Sequence, residues 1–281
     1  MRGVPTRLAL GAIVAATVSL AACTAAPPSA PAPATAPATA PATAWWKPTS
    51  KTTWDIQIGA SSVNTAAGVQ ALDVDLFDTP QSTIDTLRAA NKKVICYFST
   101  QYENWRPDAS KWTSVTLGSA IQGWAGENWV DIKDPDLMTV LNARLDLAKS
   151  KKCDAVDPDN IDGYDNRPGF SYPAGDYATF VKNLAASAHT RGLAIGQKNA
   201  LTNVPALVNT LDFAVNEQCV QYNECSALAA YVNADKAVFG IEYQGTPSTF
   251  CPIQNAARFS WLKKSLNLDT TTAANCLAQF P

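Results

Sequence analysis

A single histidine stands among 281 residues, and that scarcity excludes much chemistry. A Ser-His-Asp triad would have to use His189, which falls in the tail of an amphipathic pattern just before Arg191-Gly192. That position reads as a solvent-facing or C-terminal helix residue on an outer layer, far from any strand end. Zinc hydrolases usually draw on two or more histidines, so they are disfavoured as well. Charge is also sparse: acidic and basic residues make up 16% of the chain, the net charge is -2, and no Lys/Arg-rich run occurs. A nucleic-acid backbone therefore has no electrostatic footprint here. Neither a Gly-x-Gly-x-x-Gly nor a Gly-x-x-x-x-Gly-Lys-Ser/Thr is present, which removes the usual phosphate cradles. The run Asp157-x-Asp159-Asn160-x-Asp162-Gly163 has oxygen ligands at the wrong spacing for an EF-hand, with Ile161 and Asp162 where a ligand and the turn glycine belong. A different oxygen-ligand site stays open, but no cofactor and no metal are expected.

Cysteine, by contrast, is not scarce: there are seven. Arg2 and Arg7 precede an apolar run from Leu8 to Leu20, and Leu20-Ala21-Ala22-Cys23 follows. This is an export signal, too short and wrongly flanked for a spanning helix. Its last four residues resemble a bacterial lipobox, which implies that Cys23 carries a lipid anchor; a plain secretory signal cut nearby is the alternative. From Thr24 to Ala44 the chain is almost entirely Pro, Ala, Thr and Ser, a tether that cannot bury enough apolar surface to order itself. The expected organisation is a signal at 1–22, a lipid-anchored linker at 23–44 and one domain at 45–281, exported to the cell surface or secreted. Six cysteines remain in that domain, and in an exported protein they read as disulfides. Cys219 with Cys225 and Cys251 with Cys276 are natural local pairs, leaving Cys96 and Cys153 for each other if their strands are neighbours. Free catalytic thiols would have only His189 as a base.

Eight short apolar runs read as strands: 54–58, 72–77, 93–98, 154–157, 193–197, 212–216, 237–242 and a weaker 258–262. Helical spacings lie between several of them, through Ile84, Leu87 and Ala90, then Leu137, Val140, Leu141, Leu145 and Ala148, then Tyr177, Phe180, Val181, Leu184 and Ala188. Strands alternating with helices imply a parallel sheet, and eight of them fit an α/β fold of the (β/α)8 TIM-barrel type, with an open doubly wound sheet as the alternative. The longest connection, Ser99 to Pro135, carries Trp105, Trp112, Trp124 and Trp129 and reads as an active-site wall; Trp124 is taken as a sugar platform, although any one tryptophan could simply cap the barrel.

Acidic residues recur where the strands end. Asp75, Asp157, Asp159, Asp162, Glu217 and Glu242 would converge on the C-terminal face of a parallel barrel. Alternation points Asp157 and Asp159 the same way. Lys198 ends the fifth strand, either as a structural ion pair or as a substrate contact. Convergent carboxylates suit acid/base chemistry on glycosidic bonds.

The ordered segments Trp-Asp-Ile-Gln-Ile (54–58), Val-Ile-Cys-Tyr-Phe-Ser (94–99), Glu-Asn-Trp-Arg-Pro-Asp (103–108), Gly-Glu-Asn-Trp-Val-Asp-Ile (126–132), Asp-Pro-Asp-Asn-Ile-Asp (157–162), Gln-Lys-Asn (197–199), Asn-Glu-Gln-Cys (216–219) and Ile-Glu-Tyr (241–243) resemble glycoside hydrolase family 114, the endo-α-1,4-polygalactosaminidases. The resemblance implies a TIM barrel that cuts internal α-1,4 bonds of galactosamine-containing polysaccharide; a monomer that meets membrane only through its anchor is expected. By position, the family's acid pair falls on Asp159 and Glu217, with Asp157 the rival for the first role. Tyr97, Asp75, Asp157, Asp162, Lys198, Asn216, Glu242, Tyr243 and Trp124 are the expected substrate contacts. Gly196-Gln197 stands where the family usually has Gly-Leu, a departure beside the site. A non-catalytic polysaccharide-binding protein and a glycosidase for another α-linked sugar are the competing readings.

Overall fold

The computed structural model describes residues 44–280. The export signal, Cys23 and the linker before Ala44 lie outside the described residues. Twelve strands follow one another there: β1 (Trp54–Ile56), β2 (Ala71–Asp75), β3 (Lys93–Ser99), β4 (Tyr102–Glu103), β5 (Leu117–Ala120), β6 (Glu127–Val130), β7 (Ala155–Asp159), β8 (Ala194–Lys198), β9 (Phe213–Glu217), β10 (Val238–Glu242), β11 (Ser260–Lys264) and β12 (Thr272–Asn275). Nine of them form one sheet in the order β1-β2-β3-β7-β8-β9-β10-β11-β12. All of its pairs are parallel up to β11, and β12 adds antiparallel to that strand.

Side chains bring the two ends of the sheet together. Trp54 Nε1 donates to the carbonyl of Ser260 at 2.8 Å, and Asp55 accepts from both Lys264 and the Thr272 hydroxyl at 2.9 Å. The eight parallel strands thus make a nearly closed (β/α)8 barrel. Its interior is filled by Trp54, Ile56, Ile95, Phe213, Val215, Phe239 and Leu262, while Leu72, Val74, Val94 and Val156 face the helices. Period-two alternation along each strand divides the two layers. The expected helical faces are the buried ones on α1 (Gln81–Ala89), α2 (Leu137–Ser150) and α3 (Ala174–Thr190), except that Ala90 follows α1 and is exposed.

Several strands end later than their apolar runs suggest, and these extensions carry the chemistry. β7 runs through Pro158 to Asp159, β8 takes in Lys198 and β9 takes in Glu217. Pro158 has no N–H to give, yet it is tolerated because the ladder between β7 and β8 has already ended at Val156 and Ile195. β11 starts two residues late because Arg258 adopts a left-handed φ of 63° after the preceding helix.

Within the long connection between β3 and α2, β4, β6 and β5 form a small antiparallel sheet. Buried ion pairs fasten it to the barrel. Arg106 meets Asp75 at 2.6 Å, Glu103 at 2.8 Å and Asp78 at 3.0 Å, while Arg144 forks onto Asp108 at 2.8 and 3.0 Å. Trp112 and Trp129, the latter on β6 itself, are buried, whereas Trp105 and Trp124 are exposed.

All three disulfides form with the expected pairing: Cys96–Cys153, Cys219–Cys225 and Cys251–Cys276. The first links β3 to the start of its neighbour β7. At the opposite end of the barrel, His189 is not solvent-facing. It lies in the last turn of α3, stacks on Trp45 at 4.0 Å and pairs with Asp212 at 2.8 Å, so the entering chain is pinned at the N-terminal ends of the strands.

Candidate active site

Lys198 is the hub of the C-terminal face. Its side chain is 2% exposed, and its ammonium lies 3.4 Å from Asp159, 3.6 Å from Glu217 and 3.7 Å from Asp157. Burial alone would strip its proton, but the carboxylates of Asp159, Glu217 and Asp157 outweigh that, and its pKa stands well above the ordinary value. The three acids come from the ends of β7 and β9, on either side of β8, which is why residues distant in sequence meet here.

Each outer carboxylate is fixed by its own donors. Asp159 accepts from the Tyr97 hydroxyl at 2.9 Å and from the Asn160 N–H at 2.8 Å. Glu217 accepts from Asn199 Nδ2 at 3.0 Å and from the Tyr243 hydroxyl. Burial, then the neighbouring carboxylates, push both tyrosines above the ordinary phenol value, so each stays a donor. Asn199 also accepts from the Glu217 N–H at 2.9 Å and from Asn216 Nδ2 at 3.3 Å. It can do so because Asn199 and Ala200 both adopt left-handed backbone, with φ of 47° and 53°. Gln197 secures that strained turn by donating to the carbonyls of Asn199 and Ala200, and the buried Tyr231 hydroxyl donates to Gln197 in turn. A leucine at position 197 could not make these bonds, so the departure from Gly-Leu is a local brace.

Two adjoining cavities of about 440 and 190 Å³ open over these groups and share Trp124, Asp162, Asn199, Glu217, Tyr243 and Leu266. The smaller is also lined by Tyr97, Asp159, Lys198 and Glu127, the larger by Asn216 and Tyr222. Trp124 is 63% exposed above the cleft, offering a flat apolar face. Burial pushes the carboxyls of Asp162 and Glu127 up to about 7, with neighbouring carboxylates adding to the effect.

Tyr97, Asp159, Asp162, Lys198, Asn216, Glu217, Tyr243 and Trp124 therefore border one cleft. Three expected contacts do not. Asp75 is buried against Arg106 and holds the wall in place. Glu242 is 1% exposed and accepts from the Val220 N–H at 2.8 Å, tying down the segment after β9. Asp157 is fully buried behind Lys198 and lines neither cavity. Asn199, Glu127 and Asp73 went unassigned in the sequence reading. For Asp73 the available signal was a charged residue between Leu72 and Val74, on the inward face it shares with Asp75.

A parallel barrel with paired carboxylates on an open cleft at its C-terminal face is the architecture of a glycoside hydrolase. The chain belongs to the glycoside-hydrolase family GH114, whose family model matches residues 34–278. Among solved structures it is similar to Aspergillus fumigatus Ega3 in complex with galactosamine, at 40% identity and a TM-score of 0.78, over 82% of this chain and 97% of that one. The glycoside hydrolase domain of PelA from Pseudomonas aeruginosa shares the fold at 12% identity and a TM-score of 0.64, over 79% and 97% of the two chains. Trehalulose synthase MutB from Pseudomonas mesoacidophila shares it more distantly, at 9% identity and a TM-score of 0.53, over 70% of this chain and 57% of that one. No curated protein sequence matches.

Proposed function

We propose that this glycoside hydrolase cuts internal α-1,4 bonds of galactosamine-containing polysaccharide, with Asp159 and Glu217 as the reacting pair. The observation that carries this reading is the convergence of both carboxylates on one buried ammonium at the floor of an open, Trp-topped cleft. Two adjoining cavities with a shared wall give room for more than one sugar, which suits an internal stretch of polymer. The likeness to a structure holding galactosamine supports the sugar, and the two carboxyls poised at about 7, Asp162 and Glu127, supply negative charge when an ammonium lies against them.

Lys198 limits the nearest oxygens of Asp159 and Glu217 to a separation of no more than about 7 Å. Inverting enzymes hold their carboxyl groups roughly 6.5–9.5 Å apart to admit a water, and retaining enzymes roughly 5–5.5 Å apart. That bound leaves out all but the lowest end of the inverting range, and on that ground we propose double displacement with retention. One carboxyl group attacks the anomeric carbon while the other protonates the leaving oxygen and then activates water.

We further propose that the protein is exported, is anchored by lipid on Cys23 and works as a monomer at the end of its Pro/Ala/Thr tether. Cys23→Ala should move it from the membrane fraction to the medium; retention in the membrane fraction contradicts the anchor. The substrate is tested by mass spectrometry of products from defined α-1,4 oligosaccharides of galactosamine, N-acetylgalactosamine and galactose. Short oligomers from an aminosugar series support the reading. Cleavage of the galactose series alone, or of none, overturns it.

A further inference from the structure

Beneath Lys198 lies a second pair of acids that the reaction above does not use. Asp73 on β2 and Asp157 on β7 are both fully buried, and their side chains meet within the barrel. None of their four carboxyl oxygens receives a hydrogen bond from any donor among the described residues. Among the described residues the cation facing them is Lys198, 3.7 Å from Asp157, and it is shared with Asp159 and Glu217. The next buried charges around the barrel, Asp55 and Lys264 on β1 and β11, are paired with each other.

Two ionised carboxylates side by side, both fully buried, would be acceptors facing acceptors. One proton resolves the arrangement, because a carboxylic acid can donate to its neighbour. Burial, then the charge of Asp157, drives Asp73 well above its ordinary value, so Asp73 is the member that keeps the proton.

We propose that Asp73 and Asp157 share a single proton, making Asp73 a positioning residue whose neutral acid group aims the Asp157 carboxylate at Lys198 and thereby sets the ammonium between Asp159 and Glu217. Asp73 reaches no substrate. Its effect travels through Asp157 to Lys198, whose place fixes the spacing of the reacting pair. The kinetic consequence rests on the reading of Asp159 and Glu217 as that pair; the shared proton does not.

Two measurements on the full chain test the proposal. The infrared spectrum of the wild type at about pH 8, where Asp162 and Glu127 are mostly ionised, should contain a protonated-carboxyl stretch that Asp73→Asn lacks. Absence of that band overturns the shared proton whatever the substrate proves to be. In turnover, Asp73→Asn should stay within about threefold of wild type, because its amide donates to Asp157 in place of the acid, whereas Asp73→Ala should lose about 10²-fold in kcat with KM unchanged. An Asn variant that falls as far as the Ala variant while keeping the wild-type thermal transition overturns the positioning role.

Discussion

In the proposed mechanism Lys198 organises the site without taking part in bond making. A fully buried lysine is costly to charge unless paired, and here three carboxylates hold its proton while it draws together Asp159 and Glu217, the proposed reacting pair. Lys198→Met keeps the length and apolar stem but removes the charge that lets these acids crowd together. Turnover should drop by about 10²-fold or more with a modest change in KM, checked by steady-state kinetics. Asp162 gives a pH prediction with a definite sign. Its carboxyl goes from an ordinary value of 3.8 to about 7 on folding. The folded state therefore binds a proton that the unfolded state releases between those values, and stability falls as pH rises across that window. Relative to Asp162→Asn, the wild type should melt progressively lower from pH 4 to 7 and show a constant gap above it. A flat difference across the range would contradict the burial assigned to this group. In catalysis the same ionisation runs the other way: KM for galactosamine oligomers should fall as pH rises through 7, while KM for N-acetylated oligomers stays level.

Among the elements, the barrel strands were the most legible in sequence and their ends the least. Eight apolar runs alternating with three clear helical faces imply the parallel barrel because burial on both sides of a strand leaves a nearly continuous apolar signature. The same signature stops where polar residues begin, so the apolar runs fell short of Asp159, Lys198 and Glu217, which backbone pairing carries to the last place in their strands. The antiparallel sheet of β4, β5 and β6 gave no run long enough to read, and what fixes it is a buried network of Arg106, Arg144, Glu103, Asp75 and Asp108 assembled from distant segments. Acid type and position could not separate Asp75 and Glu242, which serve the scaffold, from Asp162, which faces the cleft. That distinction depends on which cation or N–H arrives from elsewhere in the fold. Packing at strand level is also testable. A Cβ on Gly240 would sit 1.9 Å from Trp261, so Gly240→Ala must displace a buried indole and should cost about 1–3 kcal/mol in a denaturation curve, whereas Gly175→Ala meets nothing within 4 Å and should be neutral.

At the scale of the whole molecule, three disulfides and a nearly closed barrel support an open cleft on one face and a chain entry on the other. The pinning of Trp45 by His189 and Asp212 lies at the N-terminal ends of the strands, away from the carboxylates. The Cys96–Cys153 bridge spans 57 residues, so replacing both cysteines by alanine should lower stability by about 2–4 kcal/mol and leave kcat unaltered below the new melting point. The most direct measurement of the central claim is the turnover of Asp159→Asn and Glu217→Gln on α-1,4-galactosamine oligosaccharide, with thermal unfolding recorded on the same preparations. Each variant should lose essentially all activity while melting close to the wild type. Wild-type turnover in either one would contradict the assignment of the reacting pair.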